Sequence, residues 1–383
     1  MHIHPLITDS ATLANLCTRL AEADFVCIDT EFMRENTFWP ELCLIQIADT
    51  NEAAAIDPMA PGLDLAPLLQ LMVNNDDVLK VFHAGGQDLE IIYNLTGKTP
   101  YPLFDTQVAA MALGQGEQIG YSNLVDAWLG LTIDKGARFT DWSRRPLDAR
   151  QIEYAIGDVT HLADIFPRML ARLRKTGRGA WLDQEMERIG DPKNYANDPE
   201  EAWKRIRIPS RKPDVLGRLK ALARWREIEA RSKDLPRGRI VKDETIADLA
   251  GHAPRKQADL AKVRGLSASW AQNDIGARLM SGSNMRPRWT RRKCPRATIA
   301  SPVWARTAHS LPTCSSCCSR SARRKSTSPR VCWRGPTISM RWRRVSAKVS
   351  RSSRAGASTS SGAMRSIWSR GGSRSRWSAA SLR

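Results

Sequence analysis

Apolar positions recur along this chain with two distinct periods. Leu13, Leu16, Cys17 and Leu20 fall at helical spacing behind the pair Asp9-Ser10, which predicts a capped helix to about residue 21. Runs at 25–32, 42–48 and 53–57 read as strands, and the last two flank a polar turn, Asp49-Thr50-Asn51-Glu52, as in a hairpin. A helix at 65–72 and a strand at 78–83 follow, and after them come helical patterns at 88–95, 105–113, 121–129 and about 148–175. Antiparallel strands, a crossover helix and a further strand imply an α/β domain, a mixed sheet flanked by helices, ending near Arg178. Residues 191–213 are polar, hold four prolines and read as a linker. Helical spacing resumes at Val215, Leu219 and Leu222 and again at Ile246, Leu249 and Ala250, with a break at Leu235-Pro236-Arg237-Gly238-Arg239. The expected division is therefore an α/β domain at 1–178, a linker at 179–210, a small all-α domain at 211–280 and a tail at 281–383.

Charge changes this picture only once it is located. The formal net charge of +19 suggests a nucleic-acid binder, but residues 275–383 hold 25 Lys and Arg and no acid, leaving 34 basic against 40 acidic residues before them. The basicity thus belongs to the tail and says nothing of what the folded part binds. In the tail Arg, Ser, Trp, Pro and Cys dominate, and six of the 13 Trp lie there. It reads either as a disordered, arginine-rich arm or as a shifted reading frame beginning between about Ile275 and Trp289; its Trp and Cys content favours the frameshift. Cys314, Cys317 and Cys318 lack a second ligand pair at finger-like spacing. Cys17, Cys27 and Cys43 sit in apolar patterns, as buried thiols do. The N-terminus lacks a signal-peptide pattern and no run approaches the ~20 apolar residues of a membrane span, so a cytoplasmic protein is expected.

The candidate chemistry begins in Phe25-Val-Cys-Ile-Asp-Thr-Glu-Phe32. Strand side chains alternate, so Asp29 and Glu31 point the same way, and two adjacent carboxylates in an apolar strand need a compensating cation. Asp88 follows the strand at 78–83 in His-Ala-Gly-Gly-Gln-Asp, where Gly85 and Gly86 permit a tight strand-to-helix turn. Tyr154 and Asp158, four apart in Tyr-Ala-Ile-Gly-Asp, share one helix face. Four carboxylates and no competing His or Cys set favour a hard cation such as Mg²⁺ or Mn²⁺. Each piece alone is weak, since exposed acids at strand and helix ends are common; their order and setting raise their weight.

Asp-Thr-Glu, His-Ala-Gly-Gly-Gln-Asp and Tyr-Ala-Ile-Gly-Asp together resemble the three motifs of the DEDD exonucleases, in the tyrosine-containing branch. With Pro-Glu-Leu-Cys-Leu-Ile-Gln-Ile-Ala at 40–48 and Thr-Asp-Trp-Ser-Arg-Arg-Pro-Leu at 140–147, the chain resembles the ribonuclease D family over about residues 6–279, and the helical unit resembles an HRDC domain. The resemblance implies a ribonuclease H-like fold and 3′→5′ hydrolysis of single-stranded RNA 3′ ends, such as those of precursor tRNA, releasing nucleoside 5′-monophosphates. It implies two Mg²⁺ or Mn²⁺ held by Asp29, Glu31, Asp88 and Asp158. Tyr154, ordinarily titrating near ~10, would orient water rather than act as a base. The family usually carries a second HRDC domain, where this chain has its Arg/Ser-rich tail. An exodeoxyribonuclease and a non-catalytic RNA binder with a relic site are the alternatives.

Other residues carry a bland reading beside the functional one. Gln46 and His83 adjoin the acids by sequence, and His161 lies seven after Tyr154. Trp142, with Arg144 and Arg145, would stack on or hold RNA, or else pack on a loop. Arg237, Arg239 and Lys242 form a basic turn able to meet phosphates, or a solvated loop. If the tail contributes to RNA binding, residues 1–279 will bind single-stranded RNA with lower affinity and a shallower salt slope than the whole chain; identical slopes in a salt titration exclude such a role.

Overall fold

The computed structural model describes residues 1–284 except Lys135, Pro209 and Arg255; the tail read at 281–383 lies outside the described residues from 285 onward. The order is β1 (His2–Ile3), α1 (Ser10–Leu20), β2 (Phe25–Met33), β3 (Glu41–Ala48), β4 (Glu52–Ile56), α2 (Ala66–Val73), β5 (Leu79–Phe82), α3 (Gly86–Thr96), β6 (Leu103–Asp105), α4 (Thr106–Ala112), α5 (Tyr121–Leu129), α6 (Ala149–Thr176) and α7 (Gly179–Gly190). The helical unit then supplies α8 (Pro213–Ser232), α9 (Arg237–Ile240), α10 (Asp243–His252) and α11 (Asp274–Asn284). None of the described helices is long and apolar enough to cross a membrane.

The six strands form one mixed sheet in the order β1-β4-β3-β2-β5-β6. β2–β3 and β3–β4 are antiparallel, whereas β2–β5, β5–β6 and β1–β4 are parallel. Alternation along β2 divides its side chains between two cores. Phe25 and Cys27 join the core beneath α4–α7, and Val26 and Ile28 join the core beneath α1–α3. Asp29 and Glu31 continue the first row and Thr30 the second. The β2–β3 register shifts by a bulge after Glu31, beside the acids, and pairing resumes between Phe32 and Leu42.

Two segments depart from the sequence reading. The stretch read as linker from 179 begins with the helix α7, whose Leu182 and Met186 are buried in the sheet's core against α4 and β6. Its helical period is short and its polar content high, so only the packing partner distinguishes it from a linker. β6, three residues long, is absent from the sequence reading, whose helix at 105–113 starts at its last residue, because Asp105 is both the end of the strand and the N-cap of α4. The Asp105 carboxylate accepts from the Gln107 amide at 2.8 Å.

The helical unit is fastened to the α/β domain by the β2–β3 loop. Phe38, 1% exposed, belongs to the helical unit's core with Leu219, Leu222 and Ile246. The carboxylate of Asp234 accepts from the Phe38 and Trp39 amides at 3.0 and 3.2 Å, and Arg237 stacks over the Phe38 ring at 4.4 Å. Glu227, sealed inside, accepts two Arg237 donors at 2.6 Å each. Truncation of this plug removes the contact without touching the acids: Phe38→Ala should lower stability by about 3 kcal/mol and make the helical unit unfold as a separate, earlier transition in calorimetry.

Candidate active site

Three elements bring the acids together, each for a local reason. β2 presents Asp29 and Glu31 from one face by its two-residue period. α6 presents Tyr154 and Asp158 one turn apart; its start is fixed by a capping box in which Asp148 and Gln151 exchange bonds of 2.8 and 3.0 Å. The Tyr121 hydroxyl donates to the carbonyls of Gly157, at 3.1 Å, and Asp158, tying α5 to the helix at the residue that carries the carboxylate. α3 presents Asp88 in its first turn, where the helix dipole favours an anion.

The strand-to-helix turn before Asp88 is built differently from the sequence reading. The residue with left-handed backbone is Ala84, at φ 55°, and neither glycine has positive φ. Gly85 is required for another reason: a Cβ there would lie 2.6 Å from that of Phe82. The carboxylate of Asp105 accepts from the Ala84 and Gly85 amides at 3.1 and 3.0 Å and so holds the turn. Neither Asp105 nor Tyr121 was singled out from sequence, because their partners lie 20 or more residues away.

Carboxylate oxygens of Asp29, Glu31 and Asp158 all lie within 4.8 Å of one another. Asp88 adjoins them but is not in that group: its Oδ1 accepts the Thr30 hydroxyl, from the opposite row of β2. The acids line a cleft of ≈ 1010 Å³ together with Gln87, Tyr121, Arg138, Phe139, Trp142 and Tyr154. Burial is the main force on their protonation, followed for Asp29 and Glu31 by repulsion from the other acids. Asp29 is raised well above the usual carboxylate range, first by burial and then by Asp88, Asp158 and Glu31. Burial and the other carboxylates push Glu31 up to about 8. Asp158 is raised by burial to about 7, with the Tyr154 hydrogen bond opposing, and Asp88 by burial to about 6, with the Thr30 hydroxyl opposing. Burial and then Asp158 push the Tyr154 phenol further above its ordinary value. Arg138 is too little positive charge to balance four carboxylates. A compact set of oxygen donors short of positive charge fits a hard divalent cation.

The remaining candidates separate on inspection. Trp142 is buried against Tyr154, ring centroids 6.3 Å apart, so it packs the site instead of offering a free stacking face. Arg145 is engaged by Asp57 at 2.7 Å and by the Cys43 carbonyl at 2.6 Å, which leaves Arg144 the exposed member of that pair. His83 lines the cleft, with Nε2 donating to the Ile119 carbonyl at 3.1 Å, and His161 is not among the lining residues. Arg237 and Arg239 turn toward the β2–β3 loop, onto Glu227 and Asn36, because the loop docks there; Lys242 stays exposed.

A family model described as a 3′–5′ exonuclease matches residues 5–174, and an HRDC domain model matches residues 215–281. Ribonuclease D of Sphingobium indicum is 76% identical over 280 residues, 73% of this chain and 72% of that protein. Ribonuclease D of Zymomonas mobilis subsp. mobilis is 72% identical over 280 residues, with the same coverage of 73% and 72%. The crystal structure of Escherichia coli RNase D, described as an exoribonuclease involved in structured RNA processing, matches with a TM-score of 0.65 at 31% identity, covering 76% of this chain and 77% of that one. The catalytic core of RRP6 from Trypanosoma brucei shares the fold, with a TM-score of 0.51 at 19% identity, 73% of this chain and 79% of that one.

The raised carboxyls make stability depend on pH in a definite direction. Without metal, Glu31 and Asp158 titrate near about 8 and about 7, so between about pH 4 and 8 the folded protein holds more protons than the unfolded chain. Stability should therefore fall as pH rises through that window. Asp158→Asn, which removes one of the repelling charges, should raise the melting temperature of the metal-free protein at pH 8 and have little effect at pH 4; circular dichroism melts in a chelator measure both.

Proposed function

Because the chain belongs to the ribonuclease D family and is a 3′–5′ exoribonuclease, we propose that it trims single-stranded 3′ ends of precursor tRNA and other small structured RNAs, releasing nucleoside 5′-monophosphates by two-metal-ion hydrolysis. The observation that carries this reading is the convergence of Asp29, Glu31 and Asp158 in a cleft of ≈ 1010 Å³, with Asp88 adjoining. The match to an RNase D described as acting in structured RNA processing supports the substrate class. Dependence on a divalent cation follows from the family and suits the donor set. Asp29, Glu31, Asp88 and Asp158 would hold two Mg²⁺ or Mn²⁺, which when bound supply Lewis acidity for water activation and for the departing 3′-oxygen.

The chain's own groups do the positioning. Tyr154, its phenol held protonated by burial and by Asp158, orients the attacking water through a hydrogen bond and does not remove its proton. Thr30 and Tyr121 fix Asp88 and the helix turn of Asp158, so the carboxylates need not reorganise when RNA enters. At the mouth of the cleft Arg138 lies over the ring of Phe139, 5.2 Å from its centroid, and Phe139 is 89% exposed. A guanidinium and an exposed ring side by side provide for one backbone phosphate and one unstacked base.

A 5′-labelled single-stranded RNA tests the reading directly. With Mg²⁺ the full chain should produce a ladder shortening from the 3′ end, lost with a chelator and with Asp29→Asn; a matched DNA strand should be degraded more slowly. Tyr154→Phe should lower kcat about 10²-fold with KM little changed. Arg138→Ala should instead weaken RNA binding and reduce the salt slope by about one. An intact, folded chain that binds RNA but never shortens it would leave a relic binder.

A further inference from the structure

Gln46 lies on β3, 0% exposed, and among the described residues neither its amide nitrogen nor its amide oxygen has a hydrogen-bond partner. Burying an amide unpaired is unfavourable, and the neighbouring strand positions Leu44, Ile45 and Ile47 are all apolar. The register accounts for the exception. Gln46 stands directly opposite Asp29 on β2 and opposite Ala55 on β4. Directly opposed residues share a face with Cβ atoms about 4.5–5.5 Å apart, well within reach of an amide at the end of a Gln side chain. Gln46 does not line the cleft, so its amide sits behind Asp29, away from substrate.

We propose that Gln46 is a positioning residue for the cation site: its amide, unpaired in this structure, donates to the Asp29 carboxylate when that carboxylate holds an ion, so that the carboxylate's other lone pairs face the ion. The inference rests on the metal-dependent reading above and deepens it. An amide suits this place because it offers a neutral donor to the ionised carboxylate that would hold the ion. A lysine or arginine there would supply the positive charge that the site reserves for the cation. Hydrogen bonds of this kind to ligating groups typically govern metal affinity 10–100-fold.

Gln46→Met in the full chain tests the assignment, since methionine keeps the unbranched shape and removes both polar atoms. The melting temperature is followed from a chelated start through titrations with MgCl₂ and with MnCl₂. Without metal the variant should match or exceed the wild type, as expected when unpaired buried atoms are removed. The metal concentration for half-maximal stabilisation should rise about tenfold or more, and excess metal should restore the RNA-shortening rate. An unchanged midpoint overturns the proposal. So does a variant that fails to fold or is less stable without metal, since the amide would then serve the fold and not Asp29. A wild-type chain whose melting temperature ignores both metals overturns the metal reading itself, and that control separates the two failures.

Discussion

Four carboxylates crowded into one cleft are the constraint around which this structure is organised. Burial raises the free energy of each ionised acid, and for Asp29 and Glu31 the neighbouring carboxylates add to it. A flexible scaffold would relieve the strain by letting the acids part. Here they are carried by a central strand, a 28-residue helix and the first turn of α3, which leaves protonation or cation binding as the ways to relieve it. The same crowding of oxygen donors that opposes ionisation suits the divalent cation on which the family depends.

Rigidity comes from contacts that are not themselves part of the chemistry. Thr30 occupies one oxygen of Asp88, Asp105 holds the turn that leads to it, and Tyr121 grips the backbone at Asp158. Trp142 packs beneath Tyr154, and Arg145 ties the approach to α6 to the end of β4 through Asp57. Trp142 and Arg145 are groups that sequence would offer to substrate, and the fold uses them as packing and anchoring contacts. The bulge after Glu31 shifts the β2–β3 register, pairing continues to Met33, and the chain then leaves the site along a loop that carries Phe38 into the helical unit. Arg34 on that path pairs with Glu90 at 2.7 Å, and Glu90 in turn accepts from Asn197 at 2.9 Å, so the second unit is anchored within a few residues of the acids. The helical unit is thereby held against the α/β domain by packed side chains and not by a free linker.

Much of the fold and of the site was legible in the chain because the signals are local. A two-residue period places Asp29 and Glu31 on one face, a four-residue spacing does the same for Tyr154 and Asp158, and both follow from backbone geometry alone. The main strands and helices of the α/β domain announce themselves by the same periods, and the charge asymmetry between the first 274 residues and the rest is a matter of counting. Tertiary structure alone decided what depends on partners far away in sequence. It converted the stretch after 178 into a packed helix, buried Trp142, turned Arg237 from solvent to Phe38, assigned the left-handed residue of the turn to Ala84, and set Gln46 unpaired behind Asp29. No local period distinguishes a tryptophan that packs from one that stacks, or an arginine held by a buried glutamate from one free to meet phosphate. Those distinctions are made by which surfaces meet, and surfaces meet only once the chain has folded.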